Sequence, residues 1–180
     1  MKRQKNCVIL KWNPAISSYH FIDFLSAIGN REPESDWSIY EHSKVKAGDQ
    51  FFMLKAGSGI CGIVAAGRIT SKPAQDKDWS GRGRKVYYSD YCCEFMVNAE
   101  TLPVIESSTL EKAIPGFDWS GGHSGVVLED TMAEKLNELY GKYLIENAAL
   151  FTDRFALMAR RNMFNDQLYM SEELYDRIRG

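Results

Sequence analysis

The chain has 180 residues, 44% of them apolar and 26% charged, which suits one globular domain and is too short for two comfortable ones. Lys and Arg total 22 against 24 Asp and Glu, and the net charge of −2 excludes a protein that grips nucleic acid by bulk electrostatics. No apolar run approaches the ~20 residues that span a bilayer, so no membrane partner is expected.

The basic start, MKRQKNCVIL, meets Lys11 without an h-region or cleavage site. It does not read as a signal peptide, and a cytoplasmic location is the default expectation. Cys7 to Trp12 (CVILKW) is of strand type and is broken by Asn13-Pro14. Ser17 or Ser18 then caps a helix predicted over Ser18 to Ile28, with Phe21, Leu25 and Ile28 at helical spacing and Gly29-Asn30 at its end. A polar loop, NREPESD, leads into Trp37-Ser38, which leaves Trp37 outside any periodic element. Gly48-Asp49 makes a turn before a buried strand over Gln50 to Lys55, and Gly57 and Gly59 form the hairpin to a strand over Ile60 to Ser71.

The long polar connection KPAQDKDWSGRGR follows. A strand over Lys85 to Val97 places Tyr87, Tyr91, Cys93, Phe95 and Val97 on one face, with Asp90 and Glu94 on the other. The loop DWSGGHSG precedes a short strand, Val126 to Leu128. Thr131 with Glu134 reads as a capping box for a helix over Thr131 to Leu144, whose stripe is Met132, Leu136, Leu139 and Tyr143. From Asn147 onward the chain is helix-like but less periodic. These elements predict an α+β fold, a mostly antiparallel sheet of five to six strands curled into a small barrel with helices at its ends. Cys7, Cys61, Cys92 and Cys93 fit no Cys-x-x-Cys spacing, and His20, His42 and His123 are scattered. The cysteines therefore read as buried free thiols, with no metal or cofactor expected.

Taken in order, Trp12-Asn13-Pro14, Trp37-Ser38, the Gly48-Asp49 turn, Gly62 to Pro73, and Trp119 through Ser124-Gly125 resemble an EVE domain. That family is a member of the PUA-like superfamily and a relative of YTH domains, and the resemblance covers Cys7 to Tyr140. It implies a PUA-like antiparallel β pseudo-barrel with flanking helices over residues 1–146; residues 147–180 read as a C-terminal helical extension packed on or beside it, which the resemblance does not explain. It also implies a non-catalytic module that takes a modified base, such as a methylated cytosine or adenine of DNA or RNA, into an aromatic cage. A nuclease or other effector would then act in trans.

By the same resemblance, Trp37 with Ser38 is one wall of the cage, and Trp79, in Trp79-Ser80-Gly81, is the second. Both rings are expected to be partly exposed on opposite sides of one pocket. Either Trp alternatively packs a loop onto the core. Trp12 and Asn13 stand where the family's polar pocket residues lie; Asn13 either reads a base edge or merely turns the chain. Ser124 with Gly125 lets a base approach the backbone, while Trp119 reads more readily as packing. Basic residues cluster at Arg68, Lys72, Arg82, Arg84 and Lys85, and the last four are the expected phosphate ligands, or else a solvated face. An alternative is an ASCH-like hydrolase of the same superfamily acting on a modified nucleoside, for which Lys11, Asp90, Cys92 and Glu94 are available. A homodimer through the C-terminal segment, with Phe155, Met158, Phe164 and Leu168, is compatible with either.

Overall fold

In a computed structural model, residues 5–28, 34–102, 104–148 and 168–179 are described. Nine strands and four helices lie among them: β1 (Cys7–Trp12), α1 (Phe21–Ala27), β2 (Glu34–Ser38), β3 (Gln50–Lys55), β4 (Gly62–Ile69), β5 (Ala74–Asp76) and β6 (Val86–Val97), then β7 (Ile105–Glu106), α2 (Ser107–Ala113), β8 (Val126–Val127), α3 (Asp130–Glu146), β9 (Leu168–Met170) and α4 (Glu172–Arg179). The strands form one sheet in the order β2-β6-β4-β3-β1-β8, with β5 and β9 also on β6 and β7 on β4. The result is a mixed α+β fold around a curled sheet. Every ladder is antiparallel except β1–β3, which runs parallel because the connection through α1 and β2 returns the chain to the same end.

The two ends of this path meet. Just past β2, Tyr40 N–H donates to Ser124 O and Glu41 N–H to Gly125 O, both at 2.9 Å, immediately before β8. Gly125 permits that seam: its φ is +80°, and a Cβ there would stand 2.4 Å from Ile39 Cα.

The sheet is packed on both faces, which is why β1, β3 and β4 read as nearly unbroken apolar runs. Phe51 meets Tyr91 edge-on at 5.5 Å inside the curl. Its neighbour Phe52 meets Tyr140 of α3 at 5.1 Å on the outside. The single face expected for β6 is split by a bulge. Gly67 pairs with Cys93 but Ala66 with Phe95, so Glu94 is the extra residue. Tyr91 and Cys93 therefore face inward, whereas Phe95 turns out against Tyr140.

Other boundaries differ for local reasons. The first helix starts at Phe21, because Trp12 Nε1 holds Tyr19 O at 2.7 Å and keeps the serines in a turn. The Asp23 carboxylate accepts from His20 N–H at 2.8 Å and caps that helix. Glu129, not Thr131, is the N-cap of α3, and the Thr131 hydroxyl donates to Glu129 Oε1. Glu34 to Asp36, directly before Trp37, belong to β2 and not to a loop, and Ser107–Ala113 form a helix, α2, beyond the expected elements. Beyond Glu146, β9 pairs with β6 at Phe95 to Val97, so this segment adds a strand to the sheet as well as a helix. The side chains of Phe155, Met158, Phe164 and Leu168 lie outside the described residues. None of the described helices is long and apolar enough to cross a membrane.

Candidate nucleic-acid interface

The β5–β6 hairpin ends in a loop, Lys77 to Lys85, organised by one carboxylate. Asp78 Oδ1 accepts from Ser80 N–H and Ser80 Oγ–H at 2.9 and 2.7 Å. Asp78 Oδ2 accepts from Arg84 Nε at 2.9 Å and from its backbone N–H at 3.2 Å. The Arg84 guanidinium, followed by the Ser80 hydroxyl, holds the Asp78 carboxyl well below the usual carboxylate range. A second anchor is Tyr88, whose hydroxyl accepts from Trp79 N–H at 2.9 Å and donates to Lys77 O at 2.7 Å. With its backbone fixed in this way, Trp79 remains 46% exposed. An open depression beside it is lined by Gln75, Asp76, Lys77, Asp78, Arg84 and Lys85.

The clustered basic residues divide into two groups, exposed and ion-paired. Lys72, Arg82 and Lys85 are exposed, Arg82 and Lys85 in this loop and Lys72 at the other end of β5. Arg84 is bound to Asp78, so its charge is largely spent in building the loop. Arg68 pairs with Glu94 at 3.4 Å, which also receives Arg177 at 3.0 Å.

Trp37 lies elsewhere in the structure. It is 7% exposed, edge-on to Tyr19 and Tyr91 with centroids 5.5 and 5.7 Å away. Its Nε1–H donates to Ser124 Oγ at 3.1 Å, and Lys11 N–H donates to the same oxygen at 2.9 Å. The expected half-open wall is thus a core ring that locks the seam. The pleat explains why. Trp37 pairs with Ser89 and Ser38 with Tyr88, so Trp37 points inward while Ser38 shares the outer face with the Tyr88 that anchors Trp79. The structure brings Ser38 and Trp79 to one face and leaves Trp37 behind it.

Trp12 is also core, 1% exposed and stacked on Phe24 at 4.8 Å. Asn13 makes a turn, its Oδ1 accepting from Ala15 N–H at 3.1 Å and its carbonyl accepting from Ser17 N–H at 2.9 Å. Trp119 is buried and donates to Ile114 O, as packing requires. Ser124 is partly buried at the seam. With both acceptor positions filled by Trp37 and Lys11, the hydroxyl retains its O–H as a donor.

The hydrolase candidates are spread over different strands. Lys11, on β1, donates to Asp118 O at 2.7 Å and lies 4.9 Å from the Phe117 ring centroid; burial pushes its ammonium down. Asp90, Cys92 and Glu94 lie on β6, separated from β1 by β3 and β4.

Two further ring pairs border the seam. Tyr40 stacks on His123 at 3.8 Å and 3°. His42 stacks on Tyr87 at 3.6 Å and 10°. Their only trace in the sequence is the aromatic spacing of WSIYEH, and the partner residues are distant in the chain.

No protein-family model matches the chain, and no curated protein matches it. Among solved structures, it is similar to the YTH domain of Zygosaccharomyces rouxii MRB1 protein in complex with N6-methyladenosine RNA. The identity is 13% and the TM-score 0.41, over 76% of this chain and 87% of that one.

Proposed function

We propose that the protein is a non-catalytic nucleic-acid-binding module of EVE-type, PUA-like architecture that takes up a modified nucleobase of DNA or RNA. The observation that carries this reading is Trp79, a half-exposed indole on a loop already fixed by Asp78 and Tyr88, with exposed Arg82 and Lys85 beside it. A base leaving its stack loses a few kcal/mol, and stacking on an aromatic face returns about 1–3 kcal/mol. A preordered platform delivers that return without the entropy cost of organising a loop. Ser38, on the same outer face, supplies a polar group for a base edge. Lys72, Arg82 and Lys85 supply phosphate contacts, which position the polymer. Trp37 serves as the frame behind the site.

Burying one methyl group is worth about 0.8 kcal/mol, so discrimination between modified and plain base is a few-fold unless a polar group is left unpaired by the wrong base. A module of this kind acts with a separate effector, such as a nuclease, which belongs to the proposal along with a cytoplasmic setting. The experiment is a titration of single- and double-stranded oligonucleotides carrying plain cytosine, 5-methylcytosine, adenine or N6-methyladenine. Trp79→Ala should weaken binding by about 1–3 kcal/mol at unchanged melting temperature. Unchanged affinity in that variant would remove the reading. Conversion of a modified nucleoside by the purified protein would replace it with the hydrolase.

A further inference from the structure

We propose that the Tyr40–His123 pair is a second stacking platform, which takes the base adjacent to the one at Trp79 in a single-stranded nucleic acid. The proposal rests on the reading of Trp79 given above. Tyr40 is 59% exposed, yet one face of its ring is covered by the exposed His123 imidazole at 3.8 Å and 3° from parallel. Both residues are held by the seam, where Tyr40 N–H donates to Ser124 O and Gly125 N–H to Ile9 O. The backbones are therefore set before any ligand arrives, and a third flat ring can extend the stack at little ordering cost.

The position of the pair fits such an occupant. Burial alternates from Trp37 (buried) through Ser38 (half-buried) and Ile39 (buried) to Tyr40 (exposed), so Ser38 and Tyr40 face outward together. That is the face of Tyr88, which holds the Trp79 loop. Ile39 N–H donates to Tyr87 O near the start of β6, so Tyr40 lies at the end of that strand to which the Trp79 loop is joined. A Cβ on Gly122, next to His123, would stand 3.2 Å from Lys11 Nζ and 3.5 Å from Asp118 Oδ2, so charge beside the pair is of both signs and stacking, not charge, is what the pair offers. The coplanarity of the pair favours a planar ligand over an aliphatic one.

Fluorescence anisotropy with labelled oligodeoxyadenylates of one, two, four and eight nucleotides tests the proposal, because base stacking tolerates any sequence. Wild-type affinity should rise between the mononucleotide and the tetranucleotide. Tyr40→Ala should remove about 5- to 150-fold of that rise, the loss of one stacked base. Tyr40→Leu, which keeps bulk without a plane, should behave like Tyr40→Ala, and Tyr40→Phe should keep the rise. If Tyr40→Ala matches wild type at every length while Trp79→Ala is weakened, the platform is wrong and the Trp79 reading stands. If neither variant differs from wild type, both fall.

Discussion

Trp37 and Trp79 are the same residue type put to different uses by their backbones. The Trp37 ring is enclosed by Tyr19 and Tyr91, and its one polar atom is satisfied by Ser124. Trp37→Ala should therefore behave as a core truncation, costing about 3–5 kcal/mol in chemical denaturation; a variant as stable as wild type would mean that the ring is not core. Trp79 depends instead on Asp78, whose carboxylate is 1% exposed while its partner Arg84 is half-exposed. The Asp78 carboxyl is held below its unfolded value, so its contribution is complete above the ordinary carboxylate pKa near ~4 and is lost only as pH falls through the depressed value. The Trp79 indole resonance should stay in place from neutral pH down to about pH 4 and move only in stronger acid. Asp78→Asn should let trypsin cut after Arg82 or Arg84 faster than in wild type; equal rates would show that the carboxylate does not order the loop.

At the scale of elements, the bulge in β6 decides how the barrel and α3 share one strand. With regular pairing in place of the bulge, Phe95 would follow Tyr91 and Cys93 inward, and Tyr140 would lose one of the two rings it meets edge-on, Phe95, and keep Phe52. The bulge pushes the Cys92 carbonyl toward β4, where a Cβ on Gly67 would stand 1.9 Å from that oxygen. Gly67→Ala must then displace backbone, not a flexible side-chain tip. A loss of at least about 1–3 kcal/mol in urea unfolding is expected, the usual cost of overpacking. An alanine variant of wild-type stability would show that the two strands do not approach so closely. This feature also marks a limit of sequence reading. The apolar runs of β1, β3 and β4 were legible because two-sided burial leaves an unbroken hydrophobic signature. The bulge was not, because the alternation in KVYYSDYCCEFMV continues through Glu94, which has no ladder partner on β4. Likewise the order of Trp37, Ser38 and Trp79 was visible, but which way Trp37 points depends on its pairing with Ser89, and pairing is set by tertiary contacts.

For the whole molecule, the question is where the folded unit ends. In the sequence, the residues after Asn147 resemble a helical tail, since three residues of strand are too few for periodicity to register. In the structure, Tyr169 and Met170 of β9 and Leu174 and Tyr175 of α4 are all buried, between 0 and 6% exposed. The β9 strand occupies the edge of β6 beside Phe95 to Val97, continuing the edge that β2 begins. Arg177 of α4 joins Arg68 on Glu94, tying the tail to the bulge residue itself. Four buried side chains of this kind contribute about 6 kcal/mol or more. That is comparable to the 5–15 kcal/mol by which a domain is stable at all. Removing them would also uncover a flat apolar strand edge, the usual route to association. A chain ending at Glu146 should therefore be largely insoluble, or bind anilinonaphthalene sulfonate and melt without a cooperative transition. The full chain should melt cooperatively and leave the dye dark. A soluble 1–146 fragment with the full chain's melting temperature would show that the sheet is complete at β8 and that β9 is an accessory strand.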